Sequence, residues 1–120
     1  MSQQAVRFTV SLAIHPDKFN QFESTAQAMV EGSGKEPGTL GYDFYLGADR
    51  KTCRLLEHYA DADAVMAHLS GPVVQQLVPQ LLQSGSVTGF EVYGDPGATA
   101  AKGLAGFGAQ FFGTWHALGR

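Results

Sequence analysis

From residue 6 onward apolar and polar side chains alternate: Val6, Phe8, Val10, Leu12 and Ile14 against Arg7, Thr9, Ser11, Ala13 and His15. A period of two predicts a strand with one strongly apolar face. The period then lengthens. Phe19, Phe22, Ala26, Met29 and Val30 share one helical stripe, which predicts a helix over residues 17–31. His15-Pro16-Asp17 suits its start, since proline is tolerated in a first turn, and Gly32 with Gly34 supplies its stop. Leu40, Tyr42, Phe44 and Leu46 return to alternation, residues 47–51 carry turn chemistry, and residues 52–60 read as the partner strand of a hairpin.

Asp61 reads as the N-cap of a second helix with Ala62, Val65, Met66 and Leu69 facing inward. Gly71-Pro72 ends it, and the helical pieces that follow are interrupted at Pro79, which cannot donate a helix-interior hydrogen bond. Residues 87–93 read as the last strand, with Val87 and Tyr93 alternating against Phe90 and Val92. Strand, helix, strand, strand, helix, strand is the split βαβ order, so the expected fold is α+β, ferredoxin-like, with a four-stranded antiparallel sheet. Helices on one side leave the other face open. Because neither face is cleanly polar, an exposed apolar patch and a sheet-to-sheet homodimer are expected.

The chain divides into a domain over residues 1–94 and an extension over 95–120 that opens with Asp95-Pro96-Gly97. In the extension, Leu104, Phe107, Phe111, Trp115 and Leu118 recur at steps of three and four, predicting an amphipathic helical arm. Gly103, Gly106, Gly108 and Gly113 each weaken that helix by ~1 kcal/mol relative to alanine, so it needs a surface to lie on. A docking arm over the core or a partner is the plainest use, and a lid over a pocket mouth is the sharper one. A membrane-surface helix would want more basic character than Lys102 and Arg120 provide.

Composition removes several classes of function. A formal charge of -3 and a pI near 5.7 do not suit nucleic-acid binding, which needs a basic face. The single cysteine, Cys53, leaves no internal disulfide, no segment approaches the ~20 apolar residues of a membrane span, and the start lacks a signal-peptide pattern. A cytoplasmic protein with no membrane partner is expected.

Most chemical motifs fail on context. Gly32-Ser33-Gly34-Lys35 leaves a helix rather than opening one, the reverse of a phosphate cradle. The glycines at 103, 106 and 108 are in the wrong order for a dinucleotide fingerprint. His15, His58, His68 and His116 lie on separate elements without metal-ligand spacing, and Cys53 sits mid-strand, so no metal site and no covalent nucleophile is expected. What remains is the hairpin with its helix. Strand alternation puts Glu57 and Tyr59 on the face of Cys53 and Leu55, while His68, three residues after Val65, can look back from the helix toward them. Glu57 is the expected partner that orients His68. Tyr42 follows the apolar alternation and Tyr45 opposes it, so at most one of the two shares the pocket, and core packing with a bonded hydroxyl is the plain role expected of Tyr42; His58 faces away, toward an interface or the surface. A carboxylate beside a helix-terminal histidine also occurs as a satisfied polar pair with no chemistry at all.

Taken in order, Glu36-x-Gly38-x-Leu40-x-Tyr42, then Glu57-x-Tyr59, then Ala67-His68-Leu69 resemble the antibiotic biosynthesis monooxygenase superfamily over roughly residues 5–94. Two positions depart from its pattern: Tyr59 stands where tryptophan is common, and Val73 where a second histidine often follows the helix break. The resemblance implies a ferredoxin-like domain that pairs as a dimeric α+β barrel, and oxygenation with neither metal nor flavin. It implies a small phenolic, quinol or polycyclic aromatic substrate with dioxygen, His68 and Glu57 as catalytic residues, and Tyr42 and Tyr59 as substrate-binding residues. Isomerisation or cleavage of a small carbonyl compound, and non-catalytic binding of a small molecule, are the alternatives on the same fold.

Overall fold

The alternation beginning at Val6 forms the strand its period predicts, β1 (Val6–Ile14), whose inward residues Val6, Phe8, Leu12 and Ile14 are all buried. In the computed structural model, which describes residues 4–119, β1 lies near the middle of the sheet. It is followed by α1 (Phe19–Ser33), the hairpin β2 (Thr39–Leu46) and β3 (Thr52–Tyr59), then α2 (Ala62–Ser70). A π-helical turn (Val73–Leu77) runs into α3 (Val78–Leu81), and β4 (Gly85–Tyr93), α4 (Ala98–Ala105) and β5 (Gln110–Phe112) complete the chain. The strand order is β2-β3-β1-β4-β5, antiparallel except for β5, which runs parallel to β4. The class is α+β and ferredoxin-like, with one strand more than the four expected.

Three local expectations are corrected. The first helix begins at Phe19 rather than residue 17, because Asp17 adopts a left-handed φ of 63° and residues 15–18 close as a turn, with the Lys18 N–H donating to the His15 carbonyl at 3.1 Å. Val87 does not oppose Phe90. The register slips between Ser11 and Leu12, so that Leu12 faces Val87 while Val10 faces Phe90, and the extra residue of this bulge turns Val87 to the helix-covered face. The long helix expected through Trp115 is not formed either. α4 stops at Ala105, Gly108 takes φ 82°, and the chain continues as β5, leaving Trp115 88% and Leu118 79% exposed.

The core fills the space between the sheet and its helices in two clusters. One joins Val10, Leu12 and Leu55 to Phe22 and Met29 of α1; the other joins Val6, Phe8, Tyr59 and Val92 to Val65 of α2 and Leu104 of α4. The extension thus contributes to the core through α4. Across the sheet, the uncovered face carries Tyr45, Leu56 and Tyr93, all exposed. Among the described residues no helix is long and apolar enough to cross a membrane.

Candidate functional site

Register brings the first candidates together. Glu57 on β3 stands opposite Phe8 of β1 and Tyr42 of β2, near the centre of the covered face, and Tyr59 stands opposite Val6. Alternation therefore buries a carboxyl group among aromatic rings, where its charge is poorly solvated. The Tyr59 hydroxyl donates a short hydrogen bond to Glu57 Oε1. Tyr45 and His58 point to the other face, as expected from their parity.

His68 arrives from above on α2. Asp61 caps that helix, its carboxylate accepting from the Ala64 N–H at 2.8 Å, and the seven residues from cap to histidine make about two turns, which hang the imidazole over the sheet. The ring is 2% exposed and lies 5.3 Å from the Tyr42 ring and 5.2 Å from the Tyr59 ring. Its orienting partner is not Glu57. His68 Nδ1 sits 2.8 Å from Glu36 Oε1, whereas Nε2 lies 3.8 Å from Glu57 Oε1, beyond hydrogen-bond length. A carboxylate can only accept, so Nδ1 carries the proton to Glu36 and the Nε2 lone pair faces Glu57.

Glu36 is the residue that sequence reasoning passed over as a site member. It sits in the loop between α1 and β2, and the same oxygen also accepts from the Thr39 hydroxyl at 2.8 Å. Gly38 explains the rest of the Glu36-Pro37-Gly38 run: a Cβ there would stand 2.5 Å from the Ala64 side chain, so only glycine lets α2 approach closely enough for His68 to reach Glu36. The legible signal was the spacing of Glu36 and Gly38 itself. Its structural meaning required the long-range contact with α2.

The electrostatics set Glu57 apart. Burial pushes its carboxyl up to about 7, and the nearby charge of Glu36 works in the same direction, while the Tyr59 hydrogen bond only partly opposes them. Near neutral pH this group holds its proton for a substantial part of the time and can donate as well as accept. Burial raises the Tyr42 and Tyr59 hydroxyls far above the usual phenol range, reinforced by the neighbouring carboxylates, so both remain neutral donors. Tyr59 is already engaged with Glu57. The Tyr42 hydroxyl makes no hydrogen bond among the described residues.

These groups open on an apolar cavity of about 100 Å³. Tyr42, Glu57 and His68 form its polar end; Leu12, Met29, Leu55 and Phe90 form walls, and Leu104 and Phe107 of the extension close it. Among the described residues no lysine or arginine lines it. The cluster can accept a proton at His68 Nε2 and offer one from Glu57 at the polar end of a mainly apolar cavity. Of the four residues expected at the site, Tyr42, Glu57 and His68 line the cavity, and Tyr59 stands behind Glu57.

The sequence profile of the antibiotic biosynthesis monooxygenase family matches residues 5–80. No curated protein matches the chain in sequence. Among solved structures it resembles MupZ from Pseudomonas fluorescens, at a TM-score of 0.80 and 22% identity, over 98% of this chain and 95% of that one. It also resembles SnoaB, a cofactor-independent oxygenase from Streptomyces nogalater, at a TM-score of 0.68 and 16% identity over 79% and 96%. Rv0793 from Mycobacterium tuberculosis follows with a TM-score of 0.64 and 24% identity over 74% and 92%. At these identities the structural likenesses establish a shared fold. The match to MupZ also runs through the C-terminal extension, which the lower coverage of the others leaves largely outside.

Proposed function

Since this chain belongs to the antibiotic biosynthesis monooxygenase family, we propose that it is a cofactor-independent monooxygenase acting on a small, neutral phenolic, quinol or polycyclic aromatic substrate. One observation carries the reading: His68 presents Nε2 at the polar end of an apolar cavity while Glu36 fixes Nδ1. Oxygenation without a cofactor requires the substrate itself to become an electron-rich anion. Ionising a phenol of pKa ~10 at pH 7 costs about 4 kcal/mol. A placed base contributes roughly 10²- to 10⁴-fold, so His68 with donors to the oxyanion covers much of that step.

In this scheme His68 Nε2 takes the substrate proton, and the imidazolium formed is held by its Nδ1–H bond to Glu36. Tyr42, whose hydroxyl is uncommitted, and protonated Glu57 donate to the developing oxyanion. The anion passes one electron to dioxygen, and recombination of the resulting pair forms a C–O bond to a peroxide. The distal peroxide oxygen takes up the proton from that carbon as the O–O bond breaks, leaving a carbonyl and hydroxide, and the hydroxide leaves as water with the proton held on His68. A ring CH₂ and O₂ thus become a ring C=O and H₂O. SnoaB, the cofactor-independent oxygenase of the same fold, supports this class of chemistry.

A second reading rests on Glu57. An acid that holds its proton near neutrality, 3.8 Å from a base, also suits proton transfer on a small carbonyl compound, giving isomerisation or cleavage with no oxygen consumed. Oxygen uptake separates the two. Simple binding by a satisfied polar pair fits less well, because His68 and Glu57 are not bonded to each other and adjoin a cavity. We further place a homodimer on the uncovered sheet face, where Tyr45, Leu56 and Tyr93 are exposed together.

A further inference from the structure

The cavity beside His68 is smaller than the ligands its chemistry calls for. Its volume is about 100 Å³, whereas a single benzene ring is accommodated by a cavity of roughly 150 Å³. An aromatic ligand therefore fills the cavity and extends into its open mouth, where the lining side chains decide how large it can be. Most of the wall is fixed. Phe8, Leu12, Met29, Leu55 and Leu104 are each buried in the core and cannot withdraw without opening it. Of the remaining lining residues, Leu69, Val74, Val78 and Phe90 are half-buried and Leu82, Val87 and Phe107 are exposed. Val87 is held on β4 within the sheet, and Leu82 caps α3 through a Leu82 N–H bond to the Val78 carbonyl.

Phe107 differs from both. It is 57% exposed yet lines the cavity, so the ring stands in the mouth with one side toward water. Its backbone is fixed by the end of α4: the Ala109 N–H donates to the Leu104 carbonyl and the Gly108 N–H to the Ala105 carbonyl, with Gly108 at φ 82°. That is a Schellman closure, completed by the packing of Ala109 beside Leu104. More than half of the side chain's surface faces solvent, so no core packing holds the ring in one position.

We infer that Phe107 is the specificity-determining residue of this cavity, a side-chain gate on a rigid helix end that sets the largest ring system able to reach His68. The ligand class follows from the walls: a neutral, apolar molecule with one oxygen at the His68 and Glu57 end, since among the described residues no lysine or arginine lines the cavity to hold an anion. Phe107 and Leu104 lie beyond the residues matched by the family profile, so this gate belongs to the extension rather than to the shared domain. The inference rests on the proposed location of the substrate, not on oxygenation.

The test is anaerobic titration calorimetry of phenol, 1-naphthol and 9-anthrol, and of their methyl ethers, with the wild-type protein and the Phe107→Ala and Phe107→Trp variants. The ethers have no proton to lose and probe size alone. Because one methylene in an apolar pocket is worth roughly 10- to 200-fold, removing the ring should tighten the three-ring compounds by ~10-fold or more over phenol and anisole. Phe107→Trp should shift the limit the other way. Equal changes for all ring sizes, or no binding of any compound to Phe107→Ala, overturns the gate. A size limit that moves in the ethers while no phenol is ever oxygenated leaves the gate standing and removes the monooxygenase reading instead.

Discussion

Glu57 is the residue whose environment makes the sharpest demand. Its folded-state carboxyl lies near 7, above the usual value near 4.5. A raised value means that the folded state binds the proton more tightly, so this contribution to stability is complete below about pH 4.5 and is lost as pH rises through about 7. Glu57→Gln keeps the shape and removes the titration. Urea denaturation should show the wild-type protein losing up to about 3 kcal/mol relative to Glu57→Gln between pH 4.5 and 8. Parallel pH profiles of the two proteins would show that Glu57 is not held in its neutral form. Glu36 makes a different prediction. Glu36→Gln still accepts from Nδ1 without a full negative charge, so it should lower turnover more than it lowers stability. An equal loss of both, measured by kcat beside thermal denaturation, would make Glu36 a merely structural partner.

The elements were legible where one period dominated. β1 follows alternation throughout and the hairpin does so past an irregularity at Leu40, and α2 follows its Asp61 cap, so Tyr42, Glu57, Tyr59 and His68 could be gathered on one face from the sequence alone. Two kinds of feature escaped. The bulge that turns Val87 inward depends on how β4 pairs with β1, which no local pattern carries. Glu36 bonds a residue 32 positions away, and its role is invisible until α2 is docked. The tail misled for a simpler reason: steps of three and four suggested one helix, but Gly108, at φ 82°, turns the chain out of it, and pairing with β4 offers β5 another place. The Gly38 contact gives the prediction at this scale. Gly38→Ala forces α2 away from the β2 loop and should destabilise by about 1–3 kcal/mol, the usual cost of overpacking. It should also reduce activity by stretching the bond from His68 to Glu36. Unchanged thermal stability would contradict the close approach.

At the scale of the whole molecule, the sheet separates two tasks. Its covered face holds the cavity, and its uncovered face, where Leu56 is exposed near the middle, is the one we propose pairs with a second copy. Leu56→Lys should convert a sedimenting dimer to monomer with little effect on the monomer's own core, because Leu56 is exposed in the single chain. In the proposed reaction His68 removes a proton from an aromatic substrate so that dioxygen can react with it. Oxygen uptake by the purified protein with hydroquinones and polycyclic phenols, beside His68→Ala, tests this step. Uptake should depend on substrate and fall by roughly 10²- to 10⁴-fold in the variant. Equal uptake by both proteins, or none with any substrate, would contradict it.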